Sequence, residues 1–310
     1  MPPITSPSAR LRIGLAGWCC PDWDGLVYPS PRPRRFQPLE ALASLFDTIE
    51  INTSFYQFPR PEIARMWAHQ VAANPAFRFT AKLNRRFTHE RALETDEVAQ
   101  FTEGLRPLRD AGKLGCVLMQ FPWSFRFTQE NREYLIRLRR AFHAFPLAAE
   151  MRHSSWASEE ALGTFIDYHI GFANIDQPDH VKAMPPTGFL TSSVGYVRLH
   201  GRNNRNWMSE YSKPAGPDVR YDYLYQPPDL EEWIPRIRRA NAFAAETYVV
   251  FTNDAKAQSV VNALQMKAMM EGKRQIAPPG LHMAYWNELR DFVERPRQEV
   301  LFEMPETAVA

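Results

Sequence analysis

The chain has 310 residues, of which 45% are hydrophobic and 23% charged, a composition that excludes a wholly disordered protein. Its formal net charge of +2 is too small to indicate nucleic acid as a partner by itself. The three cysteines form neither a disulfide framework nor a C-x-x-C motif. No apolar run is long enough to cross a membrane, and the first ten residues lack the apolar centre of a signal peptide. We therefore expect a cytoplasmic protein without a membrane partner; its oligomeric state stays open.

Eight short apolar segments with the length of strands recur along the chain, and most are followed by a segment with helical periodicity. The predicted strands are 11–18, 48–52, 77–82, 116–120, 147–152, 171–176, 196–200 and 248–253. The predicted helices are 38–46, 61–74, 95–111, 128–145, 158–169, 229–245 and 258–270, with Ser158 as an N-cap. Strands that alternate with helices indicate βαβ units and a parallel sheet.

Eight such units in about 260 residues favour an α/β fold of the TIM type, a closed (β/α)8 barrel in a single domain. The first strand is not followed by G-x-G-x-x-G, so a dinucleotide-binding sheet has no support. The sixth crossover, 177–193, contains Pro185-Pro186 and predicts an abbreviated or missing sixth helix. We predict a disordered segment at 1–10, the barrel at 11–272, and an extension at 273–310 that packs on the barrel and contains a helix at 285–294.

Several predicted strands begin with apolar residues and end with polar ones. Because side chains alternate between the two faces of a strand, polar residues two positions apart share a face. The polar residues at the strand ends are Glu50, Asn52, Thr80, Lys82, Gln120, Glu150, Arg152, Asn174, Asp176, Arg198, His200 and Asn253. Active sites of (β/α)8 barrels lie at the carboxyl ends of the strands, so we expect a polar pocket there.

The charges of this predicted pocket are balanced. The acids are Glu50, Glu150 and Asp176, and the permanent cations are Lys82, Arg152 and Arg198. They could be structural ion pairs, since charges inside a barrel must be paired. As a ligand site, a balanced pocket suits an anionic or hydroxyl-rich molecule better than a divalent metal, which prefers an excess of carboxylates. No cofactor is predicted; if a metal were bound, its ligands would be Glu50, Glu150, Asp176 and His200.

Aromatic side chains follow several strands and could stack on sugar rings or bases. They are Trp18, Trp23, Tyr28, Phe55, Tyr56, Trp123, Phe125, Trp156, Trp207 and Tyr211. The residues predicted to bind the ligand are Trp18, Asn52, Tyr56, Lys82, Gln120, Arg152, His153, Asp176, Arg198 and Asn253. The residues predicted to be catalytic are Glu50, Glu150, His200 and His89.

Several motifs at these positions resemble those of one known family. They are Ile13-Gly14-Leu15-Ala16-Gly17-Trp18, Asp22-Trp23-Asp24-Gly25, Tyr28-Pro29, Glu50-Ile51-Asn52-Thr53-Ser54-Phe55-Tyr56, Phe79-Thr80-Ala81-Lys82, Thr88-His89, Gln120-Phe121-Pro122, Glu150-Met151-Arg152-His153-Ser154-Ser155-Trp156 and Tyr196-Val197-Arg198-Leu199-His200-Gly201. The chain resembles the YecE-like family, domain of unknown function seventy-two, over roughly 12–264. The resemblance implies a TIM-type barrel and no settled activity. The chain departs from the pattern at Cys19-Cys20 and at 251–254.

Three functions remain open from the sequence. The first is an enzyme that acts on a phosphodiester or a phosphorylated sugar, in a nucleic acid or as a small molecule. Lys82, Arg152 and Arg198 would hold the phosphate, Glu50 or Glu150 would act as base, and His200 or His89 as acid.

The second function is a metal-independent hydrolase of glycosides, in which Glu50 and Glu150 form the carboxylate pair and aromatic rings hold the sugar. The third is a non-catalytic protein that binds single-stranded nucleic acid. Its charge and stacking surfaces would come from the Arg34-Arg35 loop and from Arg202, Arg205 and Trp207.

Overall fold

The fold is a closed barrel of eight parallel strands in chain order, seen in a computed structural model that describes residues 10–204 and 219–295. The strands are β1 (Arg10–Ala16), β2 (Thr48–Ile51), β3 (Arg78–Lys82), β4 (Leu114–Gln120), β5 (Leu147–Glu150), β6 (Gly171–Asp176), β7 (Val194–Leu199) and β8 (Glu246–Phe251). Pairing of β1 with both β2 and β8 closes the barrel. The predicted (β/α)8 fold is confirmed.

Helices surround the barrel and return the chain from one strand to the next at every crossover except that from β6 to β7. They are α1 (Pro38–Ala43), α2 (Thr53–Tyr56), α3 (Pro61–Gln70), α4 (Arg85–Thr88), α5 (Thr95–Asp110), α6 (Gln129–Ala141), α7 (Glu159–Asp167), α8 (Pro227–Glu231), α9 (Ile234–Phe243), α10 (Gln258–Glu271), α11 (Pro279–Ala284) and α12 (Trp286–Leu289). Thr128 and Ser158 cap α6 and α7 with their side-chain oxygens, as expected for helix N-caps. None of these helices is long and apolar enough to span a membrane.

The apolar residues form two separate clusters, one inside the barrel and one between the strands and the helices. The small inner cluster consists of Ala16, Cys116, Leu118, Ala148, Ala173, Val194, Tyr196, Tyr248 and Val250. The much larger outer cluster contains the helix faces and the other strand face. Because strand side chains alternate, the inner cluster identifies which residues of each strand point into the barrel.

The predicted elements agree with the structure at the sixth crossover and differ from it at the C-terminal helix. The crossover from β6 to β7 contains no helix, as the Pro185-Pro186 pair predicted. The single helix predicted at 285–294 is wrong, because Tyr285 leaves helical geometry and separates α11 from α12. Beyond α12 the chain turns back, so that Val293 pairs with Gln275.

The ends of the predicted domains are only partly described. Arg10 already belongs to β1, so the predicted N-terminal segment can extend no further than residue 9. Residues 1–9 and 296–310 lie outside the described residues. In the extension, Gly280 packs so tightly on the loop after β1 that an added Cβ would lie 2.0 Å from the Gly25 carbonyl oxygen. The boundary at 272 stays a prediction.

Candidate functional site

One arginine joins two buried glutamates at the carboxyl-terminal end of the barrel interior. Arg198 Nη2 donates to Glu50 Oε1 at 2.8 Å, and Arg198 Nη1 donates to Glu150 Oε2. Both carboxylates are completely buried. The Tyr196 hydroxyl donates to the second oxygen of Glu50 at 2.9 Å, and Thr80 Oγ1 lies 2.8 Å from the same hydroxyl. The side chains of β2, β3, β5 and β7 thus form one continuous network.

A second arginine and a histidine complete the surroundings of Glu150. Arg152 Nε lies 3.1 Å and His200 Nε2 lies 3.3 Å from Glu150 Oε1. Burial opposes ionisation, but Arg198, His200 and Arg152 hold the pKa of the Glu150 carboxyl well below its usual range. Burial lowers the pKa of His200 to about 4, although Glu150 acts in the other direction. At neutral pH the pair is therefore a carboxylate beside a neutral imidazole.

Lys82, the last residue of β3, is the most exposed of these strand-end charges, with 16% of its side chain accessible. Its ammonium lies 3.8 Å from Glu50 Oε1 and 5.8 Å from the centre of the Phe55 ring. Burial and the neighbouring Arg198 lower the pKa of Lys82 to about 8, although Glu50 and Glu150 favour the charged form. Lys82 is therefore accessible from solvent, and its ammonium group loses a proton more readily than that of an ordinary lysine.

Asp254 also belongs to this site, and it was not among the residues predicted from the sequence. Burial raises the pKa of Asp254 well above its usual range; Glu50 acts in the same direction, and Lys82 and Arg198 act against it. Its Oδ1 is buried without a hydrogen-bond partner among the described residues. Inward-facing positions of β8 alternate from Tyr248 through Val250, and the same period leads to Asp254. This alternation of inward-facing positions was the sequence signal that could have identified Asp254.

We call the inward-facing polar residues at this end of the barrel the mouth cluster. It consists of Glu50, Lys82, Gln120, Glu150, Arg152, Arg198, His200 and Asp254. Gln120 belongs to it because its Oε1 accepts from Arg198 Nη1 at 3.2 Å.

Asp176 does not lie in the mouth cluster, although the sequence pattern predicts it in the same pocket; its predicted role in ligand binding stays a prediction. Ala173 of β6 belongs to the inner apolar cluster, and Asp176, three positions later, therefore points outward. There it accepts from Arg202 Nε at 3.0 Å. Arg202 also binds Asp229 at 2.9 Å and Glu232 at 3.1 Å. These four residues form a separate ion network between the barrel and α8.

Asn253 also turns away from the predicted pocket. Its Nδ2 donates to the Tyr223 carbonyl and to Asn262 Oδ1, each at 2.8 Å, and its side chain is fully buried. Asn253 points outward because it lies one position before the inward-facing Asp254. Its hydrogen bonds connect the end of β8 to the layer that surrounds the barrel.

The aromatic residues predicted at the rim have different surroundings. The Trp18 ring packs edge-on against Trp67 of α3 at 5.4 Å, on the helix side of the sheet. Tyr56 stays 70% exposed and packs edge-on against Phe55. Trp207 and Tyr211 lie outside the described residues.

The remaining predicted polar residues are His89, His153 and Asn52, and their surroundings differ. The His89 ring packs edge-on against Phe55 at 5.1 Å, and burial together with Arg152 and Arg85 lowers the pKa of His89 to about 4. His153 Nδ1 lies 2.9 Å from Ser155 Oγ, and its ring packs near Trp123. Asn52 is half-buried at the start of α2.

The four side chains named from the sequence as ligands of a metal, if one were bound, do not form one group. Within residues 10–204 and 219–295, no three His, Cys, Asp or Glu side chains are grouped as a metal ion requires. Of the four side chains, Asp176 faces outward, and Glu50 and Glu150 are bonded to Arg198. The donor set therefore fits an arginine between two carboxylates rather than a divalent ion.

Comparisons with known proteins agree with this architecture. The sequence model of the family described as Protein of unknown function DUF72 matches residues 12–284. The UPF0759 protein YunF of Bacillus subtilis is 28% identical over 271 residues, which are 84% of this chain and 94% of that protein.

Two solved structures are similar to the chain. A DUF72 family protein of Thermotoga maritima is 31% identical with a TM-score of 0.71, covering 84% of this chain and 99% of that one. A DUF72 family protein of Enterococcus faecalis is 25% identical with a TM-score of 0.72, covering 87% of this chain and 98% of that one. With the match of the family model and the closed barrel, they show that the chain belongs to the DUF72 family.

Proposed function

We propose that this protein is an enzyme that acts on a phosphorylated or otherwise anionic sugar-like molecule bound at the mouth cluster. The observation that supports this most is Lys82, a partly exposed lysine beside a fully buried network of Arg198 with two glutamates. A buried network alone can be structural, whereas a partly exposed lysine with a lowered pKa is typical of functional sites.

The charge of the mouth cluster suits an anion. Its cationic side chains are Lys82, Arg152 and Arg198, and its carboxylates bonded to Arg198 are those of Glu50 and Glu150. Burial raises the pKa of Asp254 and lowers that of His200 to about 4, and both shifts favour the neutral form. One positive charge is left over, which favours a ligand with one anionic group such as a sugar phosphate.

The individual roles differ from those expected from the sequence. Both Nη atoms of Arg198 are used by glutamates, so Arg198 positions Glu50 and Glu150 rather than holding a phosphate. Lys82 is the cation that meets the ligand, and the half-buried amides of Asn52 and Gln120 are placed to bind hydroxyl groups. Asp254, whose raised pKa favours a carboxylic acid, supplies a proton.

The two alternative functions have less support. A glycoside hydrolase needs one protonated and one ionised carboxyl group, but Glu50 and Glu150 both accept hydrogen bonds from Arg198, which leaves neither of them arranged as the acid. For binding of nucleic acid, Arg202 is already bonded to three acids, and Arg205 and Trp207 lie outside the described residues. Arg34 and Arg35 are exposed.

Calorimetric titration tests the proposal. The ligands are glycerol 3-phosphate, three- to six-carbon sugar phosphates, the unphosphorylated sugars and a short single-stranded oligonucleotide. We expect saturable binding of at least one phosphate, weakened about tenfold or more in Lys82→Met. Lys273→Met is the matched control, because this lysine is 70% exposed and remote in sequence. Binding of only the oligonucleotide, or equal affinities in wild type and Lys82→Met, would contradict the proposal.

A further inference from the structure

We propose that Lys82 is a covalent nucleophile that forms an imine with the carbonyl carbon of an open-chain aldose or ketose. This inference rests on the proposed function, because it requires a sugar-like substrate at the mouth cluster, and it names the reacting group of that substrate. It gives Lys82 a covalent role in addition to its charge.

The position of Lys82 suits a nucleophile. Its side chain points into the barrel from the end of β3 and remains partly accessible from the mouth. No hydrogen bond to Lys82 Nζ is present among the described residues, and the nearest carboxylate oxygen, at 3.8 Å, is beyond hydrogen-bond distance. The nitrogen therefore forms a long ion pair with Glu50 but no hydrogen bond to that carboxylate.

Most other lysines of the described residues are differently placed. Lys113 donates to main-chain carbonyls at 2.7 and 3.4 Å, and Lys267 donates to the Leu45 carbonyl at 2.7 Å. Lys256 and Lys273 form surface ion pairs and are 65% and 70% exposed. These lysines are either fixed as charged donors or solvated, and so they serve as internal references.

The electrostatics of Lys82 support the same role. An imine forms from the neutral amine, which an ordinary lysine hardly populates near neutral pH. Desolvation and a neighbouring cation are the two general ways in which proteins activate a lysine as nucleophile. Burial and Arg198 provide both here and bring the pKa of Lys82 to about 8.

We assign the proton transfers of this step to Asp254, because its Oδ1 is buried without a hydrogen-bond partner among the described residues and Lys82 is the strongest charge acting on its carboxyl group. The Nζ lone pair attacks the carbonyl carbon, and the C=O π electrons move to oxygen, which takes the Asp254 proton. Nζ returns a proton to Asp254, giving a neutral carbinolamine. Asp254 then protonates the hydroxyl group, which leaves as water while the nitrogen lone pair forms the C=N bond. Glu50 stabilises the resulting protonated imine, and no oxidant or reductant is needed.

Trapping with borohydride tests this step in the full chain. Dihydroxyacetone phosphate and glyceraldehyde 3-phosphate are the probes, and labelled lysines are identified by peptide mass. We expect a reduced adduct on Lys82, with labelling of Lys256 and Lys273 below about a tenth of it. Lys82→Arg should remove the adduct while keeping a positive charge. Labelling confined to the exposed lysines, or no adduct on Lys82 with either probe, would overturn the inference.

The pH dependence and a variant of Asp254 give independent readouts. Trapping at Lys82 should rise with pH to a half-maximum near 8, the pKa of Lys82. Asp254→Asn should slow trapping about tenfold or more, whereas Asp110→Asn, a change of a 57% exposed carboxylate, should not. A half-maximum above about pH 10, typical of a solvated lysine, would contradict an activated Lys82.

Glycerol 3-phosphate separates this inference from the proposed function, because it carries the phosphate but no carbonyl group. If it binds in a Lys82-dependent manner and neither carbonyl probe is trapped, the imine is excluded and the proposed function stands. If no phosphate binds and no adduct forms, both proposals fail.

Discussion

Each end of the barrel interior holds an arginine that is only 1% exposed, Arg12 at one end and Arg198 at the other, and their surroundings differ. Arg198 at the carboxyl-terminal end bonds two fully buried glutamates and is surrounded by Lys82, His200 and Asp254. Arg12 at the opposite end bonds one glutamate, Glu246, at 3.2 Å, and Glu246 is 30% exposed. Its Nε donates to the Ala76 carbonyl at 2.8 Å.

We interpret this difference as that between a structural charge and a ligand site. Arg12 is paired with one acid and one carbonyl, and its Nη1 and Nη2 have no hydrogen-bond partner among the described residues. The mouth cluster contains more titratable groups than such pairing requires, and several have shifted pKa values. This agrees with the general division of barrels into a stabilising end and a reactive end.

The largest expected effect is on stability when Arg198 is removed. Arg198→Met leaves two buried carboxylates side by side, and we expect a loss of about 3–5 kcal/mol in the free energy of unfolding. Arg12→Met is the matched control and should cost less, about 1–2 kcal/mol, because Glu246 reaches water. Urea denaturation at about pH 7 measures both. Equal losses would mean that the two ends do not differ in the way described.

Lys82→Met should raise the free energy of unfolding, whereas Arg198→Met should lower it. The pKa of Lys82 is lowered to about 8 in the folded protein, so its charged form destabilises the fold below that pH. We expect the variant to be more stable by about 1–3 kcal/mol near pH 7, with the advantage shrinking as the pH rises from about 8 towards 10.5. Unfolding free energies across this range test the sign. A less stable Lys82→Met protein would show that the lysine is a structural ion pair.

Glu150→Gln should change the acid dependence of stability. The pKa of Glu150 is held well below 4.5 in the folded protein, so its stabilising effect is complete above that pH and is lost as the pH falls towards the folded pKa. Relative to wild type, the variant should lose up to about 1.4 kcal/mol less per pH unit in this acidic range. Glu103→Gln, at a 51% exposed position, is the control. Identical pH profiles for wild type and Glu150→Gln would contradict the low pKa.

Tyr56→Ala should have the smallest effect. The ring is 70% exposed, so we expect a change within about 0.5 kcal/mol in stability and within about threefold in ligand affinity. Denaturation and calorimetry measure the two quantities. A tenfold loss of affinity would instead extend the ligand site outwards from the mouth cluster to Tyr56.

The fold and most of the mouth cluster could be predicted because both depend on short-range periodicity. Apolar strands separated by helices specify the barrel, and a polar residue two positions from another shares its face. This placed Glu50, Glu150, Arg152, Arg198 and His200 correctly relative to one another. It did not reveal that one guanidinium bridges both glutamates, because that contact joins β2, β5 and β7 across the barrel.

Asp176 shows where periodicity alone fails. All six residues of β6 are buried, so the pattern does not distinguish the inward from the outward face. The absence of a helix between β6 and β7 determines which face of β6 points into the barrel. The crossover loop covers the outer face with polar groups, and Asn174 accepts there from Thr187 and donates to the Phe189 carbonyl. Small apolar Ala173 therefore turns inward and Asp176 turns outward towards Arg202.

Asp254 was missed for a simpler reason. The predicted eighth strand ends at Asn253, whereas β8 ends at Phe251. The prediction therefore takes Asn253 as the polar end of the strand and does not consider Asp254. Thr252, whose Oγ1 lies 2.8 Å from His200 Nδ1, continues the inward parity that leads to Asp254. Boundaries of elements are the least certain part of such patterns, and here the boundary decided which acid belongs to the site.

A crystal structure of the protein soaked with glycerol 3-phosphate tests the central claim most directly, because it shows which of the two charged ends receives the ligand. We predict density for the ligand at the mouth cluster, with a polar contact to Lys82 Nζ and with Arg198 still bonded to Glu50 and Glu150. Density only beside Arg12 or Arg202, with an unoccupied mouth, would contradict it.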